Sequence, residues 1–234
     1  MATPLAALHR LVRSVVPIRI RGIPARARWL DPRPLSDSWG FDRGTPVDRH
    51  YIEGFLERHA ADIRGRTLEV KSSGYARRFG RGAESYDVID IDATNTDATL
   101  VADLARPASV PESRFDCFIC TQTLQFIFDV PAAIASAYRL LRPGGTLLVT
   151  VPCVSRVGPR YGQETDYWRF TPASCRRLFG DVFGPAAIAV EPLGNVGAGV
   201  AFLRGAAVEE VPSRVLAAND PDFPVIIAVR AVRG

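Results

Sequence analysis

Apolar residues in this chain follow two rhythms that alternate after residue 46. From Val47 to Ile63 the apolar positions Tyr51, Ile52, Phe55, Leu56 and Ala60 recur at the 3.6-residue spacing of an amphipathic helix. Short apolar runs bounded by polar or turn-forming residues then predict strands at Thr67–Val70, Tyr86–Ile91, Thr99–Ala102 and Phe115–Cys120. Pro131–Leu141 reads as a helix with proline in its first turn, stopped by Arg142-Pro143-Gly144-Gly145. Thr146–Val151 is a buried strand, Pro172–Phe179 a short helix, and Ala187–Pro192 and Val225–Val232 the last two strands. No internal repeat is visible. Strands alternating with helices in this way predict a three-layer α/β domain with a mostly parallel sheet.

Residues 1–46 break the rhythm. They are rich in Pro, Arg and Gly, and are expected to form an N-terminal extension ahead of a domain at 47–234. Trp29, Trp39 and Phe41 lie within it, so it either packs as a cover over a pocket or remains a loose basic tail as far as about residue 28. A chain of 234 residues fits one domain plus such an extension. A core of that size needs no disulfide or metal staple.

Charge changes the picture only when it is located. The chain holds 28 Arg and a single Lys, Lys71, against 25 acids, for a net +4. Residues 1–30 contain six Arg and no acid, which leaves the remainder slightly acidic. That distribution argues against a nucleic-acid partner for the domain and leaves a small molecule as the expected one. Arg10 and Arg13 interrupt the apolar run from Leu5 to Val16, so no secretory signal is expected. No stretch reaches the roughly 18 uninterrupted apolar residues of a membrane span. Cys117, Cys120, Cys153 and Cys175 have no framework spacing, which suggests reduced thiols and a cytoplasmic enzyme. Cys117 and Cys120 are spaced C-x-x-C, but on a strand they point to opposite faces, so no metal site is expected.

In a sheet of this kind a ligand sits beyond the carboxyl ends of the strands, where strand order reverses. Strand one is followed there by Glu69, Lys71, Ser72, Gly74 and Tyr75, strand two by Asp92, strand three by Asp103 and Leu104, and strand four by Thr121 and Gln122. Asp92 falls 23 residues beyond Glu69, close to the roughly 20-residue offset at which an acid grips a ribose diol.

The segments GRTLEV, VIDIDA, VADL, FDCFICTQTLQFIFD and LLRPGGTLLVTVP resemble those of class I S-adenosylmethionine-dependent methyltransferases, over roughly residues 47–232. YARRFG, TQTLQFI and DYWRFT are similar to a bacterial subgroup acting on sugars and other small molecules. The resemblance implies a Rossmann-like sheet of seven strands, mostly parallel with an antiparallel last strand, and S-adenosylmethionine as cofactor. It implies that Glu69, Ser72, Gly74 and Tyr75 lie beside the methionine portion and that Asp92 holds both ribose hydroxyls. Asp103 and the Leu104 backbone would face the adenine edge, with Thr121 and Gln122 on the sulfonium side. Glu69 pairing with an arginine and Asp103 capping the next turn are the bland alternatives.

The chain departs from the family in the turn after strand one, where glycines usually let the backbone approach the cofactor. Here Lys71, Ser72 and Ser73 precede the one glycine, Gly74. Lys71 either binds a substrate carboxylate or phosphate, in a catalytic role, or pairs with a nearby acid. In the loop from Pro152 to Thr171, Asp166 is a candidate general base, Arg169 a candidate clamp for an anion, and Tyr161 and Trp168 candidate walls for the acceptor. The alternative is that DYWRFT only packs, with Asp166 capping the helix at Pro172. Three functions follow in order: methyl transfer to a sugar, nucleotide sugar or natural-product intermediate; a methyltransferase-like enzyme of another chemistry in nucleoside or sugar biosynthesis; and a non-catalytic partner that docks through its basic segment.

Overall fold

The computed structural model describes residues 32–158 and 164–234. The basic segment at 1–30 and Tyr161 lie outside them. Pro34–Gly234 forms one compact unit.

Helix α1 is Val47–Arg58 and strand β1 Arg64–Val70. Helix α2, Gly74–Phe79, and strands β2, Gly82–Asp90, and β3, Leu100–Val101, follow. Strand β4 is Phe115–Thr121, helix α3 Val130–Leu140 and strand β5 Leu141–Pro152. The chain closes with α4, Pro172–Phe183, β6, Ile188–Leu193, α5, Val196–Arg204, α6, Ser213–Ala217, and β7, Ile226–Val232. The seven strands form one sheet in the order β3-β2-β1-β4-β5-β7-β6. Strands β1 to β5 pair in parallel and β7 runs antiparallel between β5 and β6, which is the expected Rossmann-like arrangement.

The alternation of side chains along the central strands divides the core. Phe118 and Cys120 of β4 pack with Leu147 and Val149 of β5 under α3 and α4. Cys117 and Ile119 face the other way, with Leu148, under α1, α2, α5 and α6. The two cysteines therefore point to opposite faces as the spacing predicts, and burial pushes the Cys120 thiol up to about 12. Helix α3 starts where Asp129 accepts a hydrogen bond from the Ala132 amide at 3.0 Å, and α4 where Thr171 and Ser174 exchange side-chain-to-amide bonds at 3.0 and 3.1 Å. Asp166 does not cap α4.

Residues 34–46 belong to this body. The Leu35 amide donates to the Arg204 carbonyl at 2.7 Å and the Val208 amide to the Thr45 carbonyl at 2.7 Å. Gly205 makes the approach possible: its φ is +73°, and a Cβ there would stand 2.6 Å from the Ser36 carbonyl oxygen. Among the described residues, no helix is long and apolar enough to cross a membrane, and no group of three or more His, Cys, Asp or Glu is arranged to hold a metal.

Candidate functional site

The parallel strands reverse their direction of winding between β1 and β4, and two cavities meet at the carboxyl ends of that pair. One, of about 350 Å³, is walled by Ile89, Ile91, Ala102 and Leu104, with Asp90 and Asp103 as its acids. The other, of about 580 Å³, lies under Trp39 and Phe41 and reaches α1, Gln122 and the segment after β5. Lys71 lines both.

Backbone strain concentrates here. Four described non-glycine residues have positive φ: Trp39, Lys71, Ser113 and Gln122. Three of them, all but Ser113, line the larger cavity. Lys71 at φ +71° occupies the left-handed conformation that the expected glycine would take freely, at a cost of order 1–2 kcal/mol for a side-chain-bearing residue. The turn thus keeps the glycine geometry without the glycine.

The structure redistributes the predicted ribose acid. Strand β2 ends at Asp90, not Asp92, and Asp90 faces the smaller cavity. Its Oδ2 accepts from Asn95 Nδ2 at 2.7 Å and its Oδ1 from the Asp92 amide at 3.0 Å, so each oxygen retains acceptor capacity. Asn95 Nδ2 also donates to the Lys71 carbonyl at 2.9 Å and ties the first turn to the second. Asp92 is exposed, lines neither cavity, and accepts from the Thr94 hydroxyl at 2.7 Å and amide at 2.9 Å. The Thr94 bonds, helped by the Lys71 ammonium, hold its carboxyl below the ordinary range. Asp90 and Asp92 are two residues apart and would share a face of an extended strand, but β2 ends at Asp90, which is the one that lines the cavity.

Asp103 lines the smaller cavity and also caps its own turn, accepting from the Ala105 amide at 2.8 Å. Leu104 is buried, and its carbonyl accepts from Ser136 Oγ at 2.7 Å. Thr121 ends β4 with its carbonyl bonded by Thr123 Oγ1, and the cavities are lined by the next two residues, Gln122 and Thr123. Glu69 is buried, and its two oxygens accept from the Tyr75 and Ala76 amides at 3.2 and 2.8 Å. It pins the start of α2 rather than pairing with an arginine. Burial pushes its carboxyl up to about 7 against the pull of those amides. Glu69, Ser72, Gly74 and Tyr75 border a groove that shares Phe41 and Arg49 with the larger cavity, and Arg49 donates to the Tyr75 hydroxyl at 2.8 Å.

Asp166 and Arg169, the candidate base and the candidate anion clamp, are bonded to each other. Arg169 grips both Asp166 oxygens at 2.6 and 3.0 Å. Its remaining hydrogens go to the Trp168 carbonyl at 2.8 Å, the Arg156 carbonyl at 2.9 Å and the Ser155 carbonyl at 3.4 Å. A guanidinium has five donors and all five are used, which leaves none to clamp a substrate anion. Asp166 is buried, which by itself would raise its carboxyl, but the Arg169 bonds outweigh burial and hold it below its ordinary value, so it is a poor base. The pair braces the loop. Trp168 donates its indole N–H to the Ile127 carbonyl at 3.1 Å and lies on Phe128, so its polar edge is used internally and it lines neither cavity.

Three residues that the sequence did not single out, Asp48, Gln125 and Arg156, line the larger cavity and carry unsatisfied polar atoms. Asp48 Oδ1, Gln125 Oε1 and Arg156 Nη1 are buried without a hydrogen-bond partner, and so is the Nε2 of the previously expected Gln122. Trp39, one of the aromatics expected to cover a pocket, lies over Arg156, whose guanidinium carbon is 4.8 Å from its ring centre. An isolated buried polar atom costs on the order of 1–3 kcal/mol, so four around one cavity mark a place built for a polar guest.

The smaller cavity fits S-adenosylmethionine. Apolar walls suit the adenine, Asp90 offers a carboxylate with open lone pairs to a diol, and Lys71 keeps the backbone in the glycine-like turn.

Comparison with known proteins agrees with that geometry. Residues 56–149 match the family described as "Methyltransferase domain". An S-adenosylmethionine-dependent methyltransferase from Mesorhizobium loti superposes with a TM-score of 0.51 at 16% identity, covering 83% of this chain and 100% of that one. A comparable enzyme from Archaeoglobus fulgidus gives 0.51 at 12% identity, covering 79% and 94%. The N-methyltransferase NodS from Bradyrhizobium japonicum, in complex with S-adenosyl-L-homocysteine, gives 0.50 at 13% identity, covering 85% and 92%. No curated protein matches the sequence. The fold is the one these S-adenosylmethionine-dependent methyltransferases share. The match to the methyltransferase-domain family covers residues 56–149, from the end of α1 into β5.

Proposed function

We propose that this chain transfers a methyl group from S-adenosylmethionine to a polar small molecule such as a sugar, nucleotide sugar or natural-product intermediate. The observation that carries the reading is the pair of cavities meeting at Lys71 and at the Gln122–Thr123 step. One cavity has an apolar wall and a strand-end acid, and the other is rimmed by unsatisfied polar atoms. When bound, S-adenosylmethionine supplies an electrophilic methyl carbon on a sulfonium. Asp90 holds the ribose, Asp103 and Leu104 border the adenine, and Lys71 and Gln122 frame the opening between the cavities. Trp39 and Phe41 exclude water from the acceptor side. Alignment across that opening contributes more to such a displacement than acid-base power. Lys71 keeps its ammonium within electrostatic reach of Asp92, which directs positive charge to the rim.

Calorimetry with S-adenosylhomocysteine tests the cofactor half. Micromolar binding that weakens in Asp90→Asn and persists in Asp92→Asn supports the reading, and no heat at millimolar ligand would refute it.

A further inference from the structure

The larger cavity identifies the chemistry of its guest. Among the described residues, Arg156 Nη1 is a buried guanidinium nitrogen with no hydrogen-bond acceptor, and the ion-pair oxygen facing it, on the highly exposed Asp37, is 3.9 Å away. Trp39 covers one face of the guanidinium and fixes its plane. The other cations lining the cavity are Arg49, Lys71 and Arg169, and the acids are Asp48 and Asp166. Since Arg169 and Asp166 neutralise each other, the remaining balance is positive. Gln125 Nε2 donates to the Gln122 backbone carbonyl at 3.0 Å and to Gln122 Oε1 at 3.4 Å, which orients both side-chain amides: Gln125 Oε1 is left as an unsatisfied acceptor and Gln122 Nε2 as an unsatisfied donor. With Asp48 Oδ1, the residues lining the cavity hold two unsatisfied acceptors and two unsatisfied donors. A hydroxyl is donor and acceptor at once, so neighbouring hydroxyls of one ring can satisfy such a mixed set, and an anion satisfies the guanidinium.

We propose that the acceptor is an anionic, hydroxylated small molecule whose carboxylate or phosphate sits on Arg156 and whose hydroxyls are read by Asp48, Gln122 and Gln125. The assignment rests on the methyl-transfer reading for the purpose of the cavity, but its geometry is independent of the cofactor. It moves the anion site from Arg169, whose donors are spent, to Arg156, thirteen positions earlier on the same loop.

The test is titration calorimetry of the full chain saturated with S-adenosylhomocysteine, using D-glucose 6-phosphate, D-glucuronate and D-glucose as probes. At least one anionic probe is expected to bind at millimolar concentration or better and at least tenfold more tightly than glucose, and whichever anion leads identifies phosphate or carboxylate as its group. Arg156→Gln should weaken the anionic probe about tenfold or more, as the loss of a charge-assisted bond implies, without changing S-adenosylhomocysteine affinity. Arg156→Lys, which keeps the charge, should weaken it less and controls for folding. Asp48→Asn should weaken glucose and the anions alike. Equal binding of glucose and both anions, no binding by either anion, or an unchanged affinity in Arg156→Gln overturns the proposal. Failure of S-adenosylhomocysteine itself to bind overturns the methyl-transfer reading instead, and the anion titration of the unliganded chain still decides the Arg156 site.

Discussion

Arg169→Ala removes a side chain that makes five hydrogen bonds and leaves Asp166, 4% exposed, with only the Gly158 amide at 3.0 Å. Breaking a fully buried pair costs about 3–5 kcal/mol. Arg169 is 26% exposed, so water repairs part of the loss and about 2–3 kcal/mol is expected. For a domain of this size that is a fall of roughly 5–10 °C in Tm. Asp166→Asn keeps the shape and should cost about half as much, and the double variant should show a coupling of at least about 1 kcal/mol. The sign with pH follows from the Asp166 carboxyl, which is held below its ordinary value in the fold. Such a group contributes stability that is complete above the unfolded carboxyl pKa of roughly 4 and disappears as pH falls below it. The gap between the native chain and Arg169→Ala should therefore be widest near neutrality and close in acid. Urea melts at a series of pH values measure it. A variant that melts with the native protein, or a coupling within about 0.5 kcal/mol of zero, would show that the loop is not braced by this pair and would reopen Arg169 as a ligand.

Three further outcomes follow from the site. Asp90→Asn should weaken S-adenosylhomocysteine about tenfold, since a charged hydrogen bond contributes about 1.5–3 kcal/mol, whereas Asp92→Asn should stay within about twofold; the reverse order by calorimetry would restore Asp92. Glu69, with its carboxyl at about 7 in the fold, binds a proton there that the unfolded chain releases, so stability should fall as pH rises from about 4.5 to 7. Glu69→Gln should flatten that slope in pH-dependent melts, and an unchanged slope assigns it to another group. Lys71→Gly relieves the left-handed strain of about 1–2 kcal/mol against about 0.5–1 kcal/mol of added unfolded-state entropy. A Tm a few degrees higher with cofactor affinity retained is expected by calorimetry, and a lower Tm would mean that the Lys71 side chain stabilises the turn.

Most of the sheet was legible because its strands are continuous apolar runs and its helices α1, α3 and α4 carry clear periodicity or caps. Helix α2 was not, since six residues after two serines and a glycine show no period, and its start depends on Glu69 reaching forward to the Tyr75 and Ala76 amides. Helix α5 escaped because Gly197 and Gly199 dilute its pattern, although Asn195 caps it. The site was legible by loop and not by side chain. Lys71 was recognised as standing in for glycine, and its φ of +71° gives that substitution a backbone meaning. Asp166 and Arg169 are three positions apart on the loop, and nothing in their spacing shows that they satisfy each other.

Residue order alone was enough for the layers, the parallel sheet and the end of the sheet at which a ligand binds, because periodicity and chain-crossing rules act locally. That Asp90 and not Asp92 lines a cavity, that Arg169 is paired with Asp166, and the convergence of Asp48, Gln122, Gln125 and Trp39 required the folded chain. Those residues come from a leading segment, a helix and two loops, and whether a polar atom is satisfied or left open depends on neighbours far away in the chain.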